Sequence, residues 1–339
     1  MGELAARRKE FFRGAKFKSA LFYGGDEPGQ LNANFQYFTG CSVDGAYLLL
    51  KQQGGLLLAH EMNHRAAKAV SHYPVKLLGK DRAKDLRKAC GRWKIGVASG
   101  ELSFARASAL RKSARLRLAD AGGRAYETRG SKSAGEIRLL ARSAAIARKI
   151  LDGLDPWESK TEQELASRLK IAALGAGAEI SFEPIVASGK NASYPHHGAG
   201  GKRLGNAVLV DFGVRYKGYC SDFTRCYFRA NGSKEEEAYE KCRDVFWRLL
   251  GLLDDCENGK EVAAVSASLL KKAGLPTLIH SIGHGIGLEV HEYPHLGRKS
   301  LDKLAEGTVL ALEPAAYFKN YGVRFEEMVV RAKKGWKML

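Results

Sequence analysis

The sequence predicts a protein of the α/β (α+β) class in two parts, a small α/β domain over residues 1–125 and a larger domain over 126–339. Three observations predict it. Short strand-like runs, AYLLL (46–50), GLLLA (55–59) and KIGVA (94–98), alternate with helical stretches around residues 60–72 and 103–120, which suits a small α/β unit. The junction GGRAYETRGSKSAGE is polar and contains glycine, setting a boundary near residues 122–134. Beyond it Ile137, Leu140, Ala144, Ala147 and Leu151 recur at helical spacing and predict a long helix with one apolar face.

The elements that follow carry chemistry. NAVLVDFGVRYKGYCSDFTRCYF (206–228) reads as two strands joined by a turn, with Asp211 at the end of an apolar run and Asp222 eleven residues on, so a hairpin brings both to one face. In HSIGHGIGLEVHE (280–292), Gly283, Gly285 and Gly287 alternate around His284, where missing side chains would let the backbone approach a metal or substrate. This is no dinucleotide loop, because strand, glycine turn and helix do not follow in that order. In GVRFEEMVV (322–330), alternation turns Arg324 and Glu326 to one face and Phe325 and Glu327 to the other. The apolar Phe325 shares its face with Glu327. Glu326 is therefore the ligand candidate, with Arg324 as the group that orients a carboxylate.

Five potential metal ligands thus stand in order: Asp211, Asp222, His284, Glu313 in LEP, and Glu326. Each alone is most simply an ordinary acid or histidine. Four carboxylates and one imidazole together suit a pair of hard or borderline divalent ions, since carboxylate oxygens bridge two cations and cancel most of their charge. Two ions about 3.5–4 Å apart hold a shared hydroxide, polarise a carbonyl and stabilise the oxyanion. Asp222 and Glu326 are assigned as bridging carboxylates, Asp211 as a chelate on one ion, and His284 with Glu313 as the ligands that complete the other.

Composition excludes several classes. The chain has 339 residues and is 45% hydrophobic, enough for two domains and a core that needs no disulfide or structural metal to fold. Cys41, Cys90, Cys220, Cys226, Cys242 and Cys256 form no CxxC pair, which favours a reducing cytoplasm. The charged start MGELAARRKE offers no signal core, no apolar run reaches the roughly 18 residues a bilayer needs, and Ala6 breaks a myristoylation motif at Gly2. A soluble cytoplasmic protein with no membrane partner is expected. Residues 1–125 hold 23 Lys and Arg against 10 Asp and Glu, most of the net charge of +18. A helix over FARASALRKSARLRLAD would carry Arg106, Lys112 and Arg115 as a stripe able to hold phosphate backbones, or simply as a solvated face.

The blocks IVASGKNASYPHHG, VLVDFGVRYKGYCSDFTR, HSIGHGIGLEVHE, ALEP and GVRFEEMVV, in this order across residues 180–330, resemble peptidase family M24, which includes proline dipeptidase, aminopeptidase P and methionine aminopeptidase. SKSAGEIRLLARSAAIARKIL and NFQYFTG extend the resemblance upstream, into the entry helix and the N-terminal domain of the proline-directed members. It implies a creatinase-like α/β domain followed by a pita-bread catalytic domain, and a homodimer. It also implies two divalent ions among Mn, Co, Zn and Fe, with Mn or Co foremost. His196 would stand at the leaving side, His291 at the substrate carbonyl and His280 in the proline pocket, with Arg324 also on the substrate side; Glu313 would double as ligand and proton shuttle. His197 reads as an ordinary loop histidine. His295 stands where the resemblance leads one to expect an arginine for a dipeptide carboxylate. The implied activity is a prolidase cleaving Xaa-Pro dipeptides through a metal-bridging hydroxide. Aminopeptidase P, acting on longer peptides with proline second, is the alternative. A non-catalytic nucleic-acid or ribosome binder, or a metal-free hydrolase of the same fold, would have no use for five mutually repelling ligands.

Overall fold

In the computed structural model, which describes residues 2–27 and 32–339, the chain divides into two units, one ending at Arg129 and the other beginning at Gly130. The first runs α1 (Gly2–Phe12), β1 (Ser19–Tyr23), α2 (Ala33–Thr39), β2 (Ala46–Lys51), β3 (Gly55–His60), α3 (Glu61–Val70), β4 (Val75–Leu78), α4 (Arg82–Cys90), β5 (Lys94–Val97), α5 (Phe104–Lys112), β6 (Arg117–Asp120) and α6 (Gly122–Gly130). The division falls four residues beyond the boundary read at 125, because RAYETR continues as helix between its glycines.

The six strands form one sheet in the order β4-β3-β2-β1-β5-β6, antiparallel around β2 and parallel elsewhere. Strand alternation feeds two layers. Leu21, Leu49 and Ile95 meet Leu86 of α4 and Leu110 of α5, while Phe22 meets Phe11 and Phe38, ring centroids 5.6 and 4.8 Å away. Burying each such ring contributes about 2–3 kcal/mol. The helix expected over 103–120 ends at Lys112. Arg115 takes a left-handed φ of 52°, and the period-two run RLRLAD continues as an edge strand beside β5.

The second unit opens with α7 (Ala134–Asp152), α8 (Glu162–Gly175), β7 (Glu179–Ile180), β8 (Ile185–Ser188), β9 (Ala207–Phe212), β10 (Val214–Tyr216), β11 (Tyr219–Cys220) and β12 (Phe223–Phe228). It continues through α9 (Lys234–Leu252), α10 (Gly259–Lys272), β13 (Gly283–Gly285), β14 (Glu292–His295), β15 (Val309–Leu312), β16 (Ala315–Tyr317), β17 (Gly322–Arg324), β18 (Glu327–Ala332) and β19 (Gly335–Met338). α7 is the expected long helix. Ser133 and Glu136 close a capping box at its start, and Leu140, Ala144, Ala147 and Leu151 are buried.

Three sheets position the site. β9 pairs antiparallel with β12 and β8, the short strands β7, β10 and β11 form a second sheet, and β14-β13-β15-β18-β19 form a third. Gly213 kinks the chain out of β9. A Cβ there would lie 1.8 Å from the Ser221 carbonyl oxygen, so only glycine lets these backbones touch. The turn between β10 and β11 is made by Lys217 and Gly218, both at positive φ, as a tight hairpin requires. Phe246, Leu249 and Val262 of α9 and α10 join Leu310, Leu312 and Val329 in the main core of this unit. All six cysteines are free thiols, and no helix of the described residues is long and apolar enough to cross a membrane.

Candidate active site

The β9–β12 register places Asp211 opposite Thr224, and Asp222 stands two residues before Thr224. Period-two alternation then turns all three to one face. At the joint between β17 and β18 the same alternation separates two neighbours. Phe325 enters the core against Tyr239 and Phe246, ring centroids 5.8 and 5.2 Å away, and Glu327 is taken by Arg148 and Arg225. Glu326 turns the other way and accepts a hydrogen bond from the Thr224 hydroxyl at 2.7 Å.

His284 comes from β13, held between β14 and β15. Its Nδ1 lies 3.2 Å from the Gly285 carbonyl oxygen and donates to it, leaving Nε2 as a lone pair. Burial, reinforced by His291, lowers its pKa to about 3, so the ring is neutral. Nε2 faces Asp222 Oδ2 at 3.6 Å and Glu326 Oε1 at 4.0 Å. These distances are too long for hydrogen bonds. Three potential donors whose atoms all lie within 4.8 Å of one another thus converge with no hydrogen bond from His284 to either carboxylate. A divalent cation bonded at about 2.0–2.2 Å fits that gap. Asp211 Oδ1 and Asp222 Oδ1 are buried without a hydrogen-bond partner, so the donor set fits a metal on a second count.

The remaining predicted ligands flank this triad. Asp211 Oδ2 accepts a hydrogen bond from the Arg324 guanidinium at 2.6 Å, and Glu313 sets Oε2 at 3.6 Å from His280 Nδ1. Buried Arg324 also donates to the Thr224 hydroxyl at 2.9 Å and the Tyr317 hydroxyl at 2.8 Å. Its guanidinium thereby positions these neighbours, and it also lines the cavity that holds them. Thr224 and Tyr317 were missed in the sequence. Thr224 was legible, since it stands two residues after Asp222 on the same strand face.

The acids repel one another. Burial first, then the Asp211 charge, pushes Glu326 up to about 7. Burial and neighbouring carboxylates raise Asp222 and Glu313 well above the usual range, and burial raises Asp211 against the pull of Arg324. In the metal-free fold these groups hold protons that the unfolded chain has already released. Their penalty is absent below the ordinary carboxylate range and grows as pH rises through about 7. The thermal midpoint of chelator-stripped protein is expected to fall between about pH 5.5 and pH 8, and added divalent cation to restore it. A midpoint that climbs over that window would refute this account.

The cavity holding these residues has a volume of about 400 Å³. Phe182, Pro184, Ile185 and Val290 supply an apolar wall, and His196 and His291 also line it. The His291 ring stands 4.1 Å from that of His284. His280 is not on this wall but lines a neighbouring cavity of about 750 Å³. Its Nδ1 donates to the Ser281 carbonyl at 2.7 Å, and Nε2 is 3.0 Å from the Tyr317 hydroxyl. His197 bonds Glu162 at 2.8 Å. Fully buried Glu162 also receives Ser188 N–H and Asn191 Nδ2, fixing the loop that carries His196, a role the sequence did not disclose. His295 is exposed on β14. The three glycines around His284 serve backbone packing. Added Cβ atoms would lie 2.1 Å from the Ala311 carbonyl oxygen at Gly283, 2.3 Å from that of Tyr293 at Gly285, and 2.1 Å from the Glu292 carboxylate at Gly287. Neighbouring strands, not a metal or substrate, occupy the space.

Residues 132–332 match metallopeptidase family M24, and residues 10–130 match the creatinase/prolidase N-terminal domain. A Xaa-Pro dipeptidase of Pyrococcus horikoshii is 30% identical over 319 residues, 91% of this chain and 90% of that protein. A prolidase structure from the same organism superposes with a TM-score of 0.86 at 27% identity, covering 99% of this chain and 97% of that one. The X-Pro aminopeptidase of Thermotoga maritima shares the fold, with a TM-score of 0.84 at 24% identity over 97% of this chain and 96% of that one.

Proposed function

This chain belongs to metallopeptidase family M24, and from that premise we propose that it is a prolidase, hydrolysing Xaa-Pro dipeptides with two divalent cations. The observation that carries the reading is the convergence of Asp222, His284 and Glu326, flanked by Asp211 and Glu313, in a cavity with an apolar wall. Asp222 and Glu326 would bridge the ions, Asp211 would chelate one, and His284 and Glu313 would complete the other. Mn or Co suits a set of oxygens with one nitrogen. When bound, the ions polarise the scissile carbonyl and make water acidic enough to attack near neutral pH.

The chain's own residues do the rest. The proline nitrogen has no hydrogen and its ring is apolar, so shape against Phe182, Pro184, Ile185 and Val290 selects it. His291 donates to the oxygen that gains charge as water adds to the carbonyl. Glu313 takes the proton of that water and passes it to the proline nitrogen as the C–N bond breaks, with His196 on the leaving side. His280 supports Glu313 and Tyr317 from behind.

Replacing His291 or His196 by Ala is expected to lower kcat on the order of 10²–10³-fold with metal content unchanged. Kinetics and metal analysis on the same samples check it, and an undiminished kcat in the metal-replete variants would make both residues structural. Substrate class is tested by adding each metal back to stripped protein and comparing Xaa-Pro dipeptides with Xaa-Pro-Xaa tripeptides. Dipeptides alone should be cleaved. Turnover confined to the tripeptides would establish aminopeptidase P instead, a reading favoured by the exposed His295 where a cation for the free carboxylate was expected.

A further inference from the structure

Acids of the first unit gather where most of its strands end, with Lys80, Arg82 and Arg106 among them. Asp26, Asp81, Glu101 and Asp120 end or follow strands at one edge of the sheet, and Asp44, just before antiparallel β2, and Glu61, just after β3, join them there. The opposite edge gathers cations. Lys94 pairs in register with Arg117 at the starts of β5 and β6. Lys18 precedes β1, whose Ala20 pairs with Gly96, two residues beyond Lys94. Lys51, at the end of β2, pairs with Ser19. One cation therefore stands at the same edge of each of four consecutive strands, β2, β1, β5 and β6. At a strand spacing of about 4.8 Å the row spans about 14 Å.

All four side chains are exposed, and none of them is in an ion pair among the described residues. Strands of four to six residues, at about 3.3 Å each, keep the acidic edge more than a Debye length of about 8 Å away. Helix dipoles do not account for the row. The C-termini of α3, α4 and α5 lead into strand starts at this edge and supply roughly half a negative charge each. Arg87 and Lys88 on α4 and Arg111 and Lys112 on α5 already exceed that. Like charges set directly opposite, as Lys94 and Arg117 are, oppose folding. Beside them Trp93 leaves 76% of its surface in solvent.

We propose that this edge binds single-stranded nucleic acid, the cation row tracking phosphates and Trp93 offering its face to a base. The stripe expected on a 103–120 helix is not the surface involved. Arg106 is spent on Tyr23, Tyr47 and Asp26, and Arg115 lies in the turn before β6. A line of charge with one flanking indole fits a flexible polyanion better than the broad plane of a lipid surface.

Fluorescence anisotropy of a labelled oligouridylate with the full-length protein tests it. Four phosphate contacts predict a log–log salt slope of about −3, at about −0.7 per contact. Lys94→Gln with Arg117→Gln should flatten the slope by about 1.4, and Trp93→Ala should weaken binding roughly ten-fold. Peptidase activity should stay intact in both, reporting that the chain has folded. Lys271→Gln with Lys272→Gln, which removes equal charge from α10, should leave affinity unchanged. The proposal is overturned if the α10 variant weakens binding as much as the sheet-edge variant, if Trp93→Ala has no effect, or if the protein binds phosphatidylserine vesicles but not the oligonucleotide.

Discussion

Asp222→Asn and Glu326→Gln are each expected to abolish hydrolysis and strip the protein of most of its metal. The triad atoms stand within 4.8 Å of one another, so losing one charged oxygen removes a donor that either ion would share. Folding should survive. A glutamine at position 326 still accepts from the Thr224 hydroxyl, and the change relieves the repulsion that pushes Glu326 up to about 7. The metal-free variant should therefore melt above metal-free wild type at mildly alkaline pH. Glu327→Gln is the discriminating control. It leaves Arg148 and Arg225 without their carboxylate, at a cost on the order of 3 kcal/mol, while metal bound per folded molecule stays near wild type. Metal analysis with thermal melts on the same preparations decides the matter. An essential Glu327 and a dispensable Glu326 would reverse the assignment.

The second large effect is expected at Arg324. Its guanidinium contacts Asp211, Thr224 and Tyr317 at 2.6, 2.9 and 2.8 Å with 3% of the residue exposed. Arg324→Met leaves Asp211 a buried, unpaired charge, which costs about 3–5 kcal/mol. A cation bound at Asp211 would do part of the same neutralising work. The loss should thus be largest in chelator-stripped protein and smaller in metal-loaded protein. Arg324→Lys should fall between, because an ammonium keeps the charge but not the planar fork. If melting temperatures drop equally with and without metal, Arg324 and the ions are not coupled.

Much of this site was legible because strand alternation is a local rule. It separated Glu326 from Glu327 by two-residue periodicity alone, whereas Asp211 and Asp222 share a face because β9 pairs with β12 in the register that sets Asp211 opposite Thr224. What was illegible depended on partners distant in sequence. The glycines around His284 face Ala311, Tyr293 and Glu292, so their purpose is visible only once β13 lies between β14 and β15. Glu162 looks like a first-turn acid of α8 until Ser188, Asn191 and His197 arrive on it. The helix expected over 103–120 failed for a different reason. Arg115 takes a left-handed φ there, and the alternating residues beyond it pair with β5 as a strand.

The candidate ligands come from β9, the start of β12, β13, the end of β15 and the joint before β18, separated by more than a hundred residues of sequence. During synthesis, therefore, no segment on its own assembles a high-affinity site. A site built this way is complete only when β9, β12, β13, β15 and β18 have come together. Arg324, at the end of β17, brings a charge of its own that offsets Asp211 in the metal-free fold. Metal loading after folding would then depend on access to the cavity lined by these residues. Which ion a cell installs would be set by the pool that meets the finished protein, not by the order in which the chain is made.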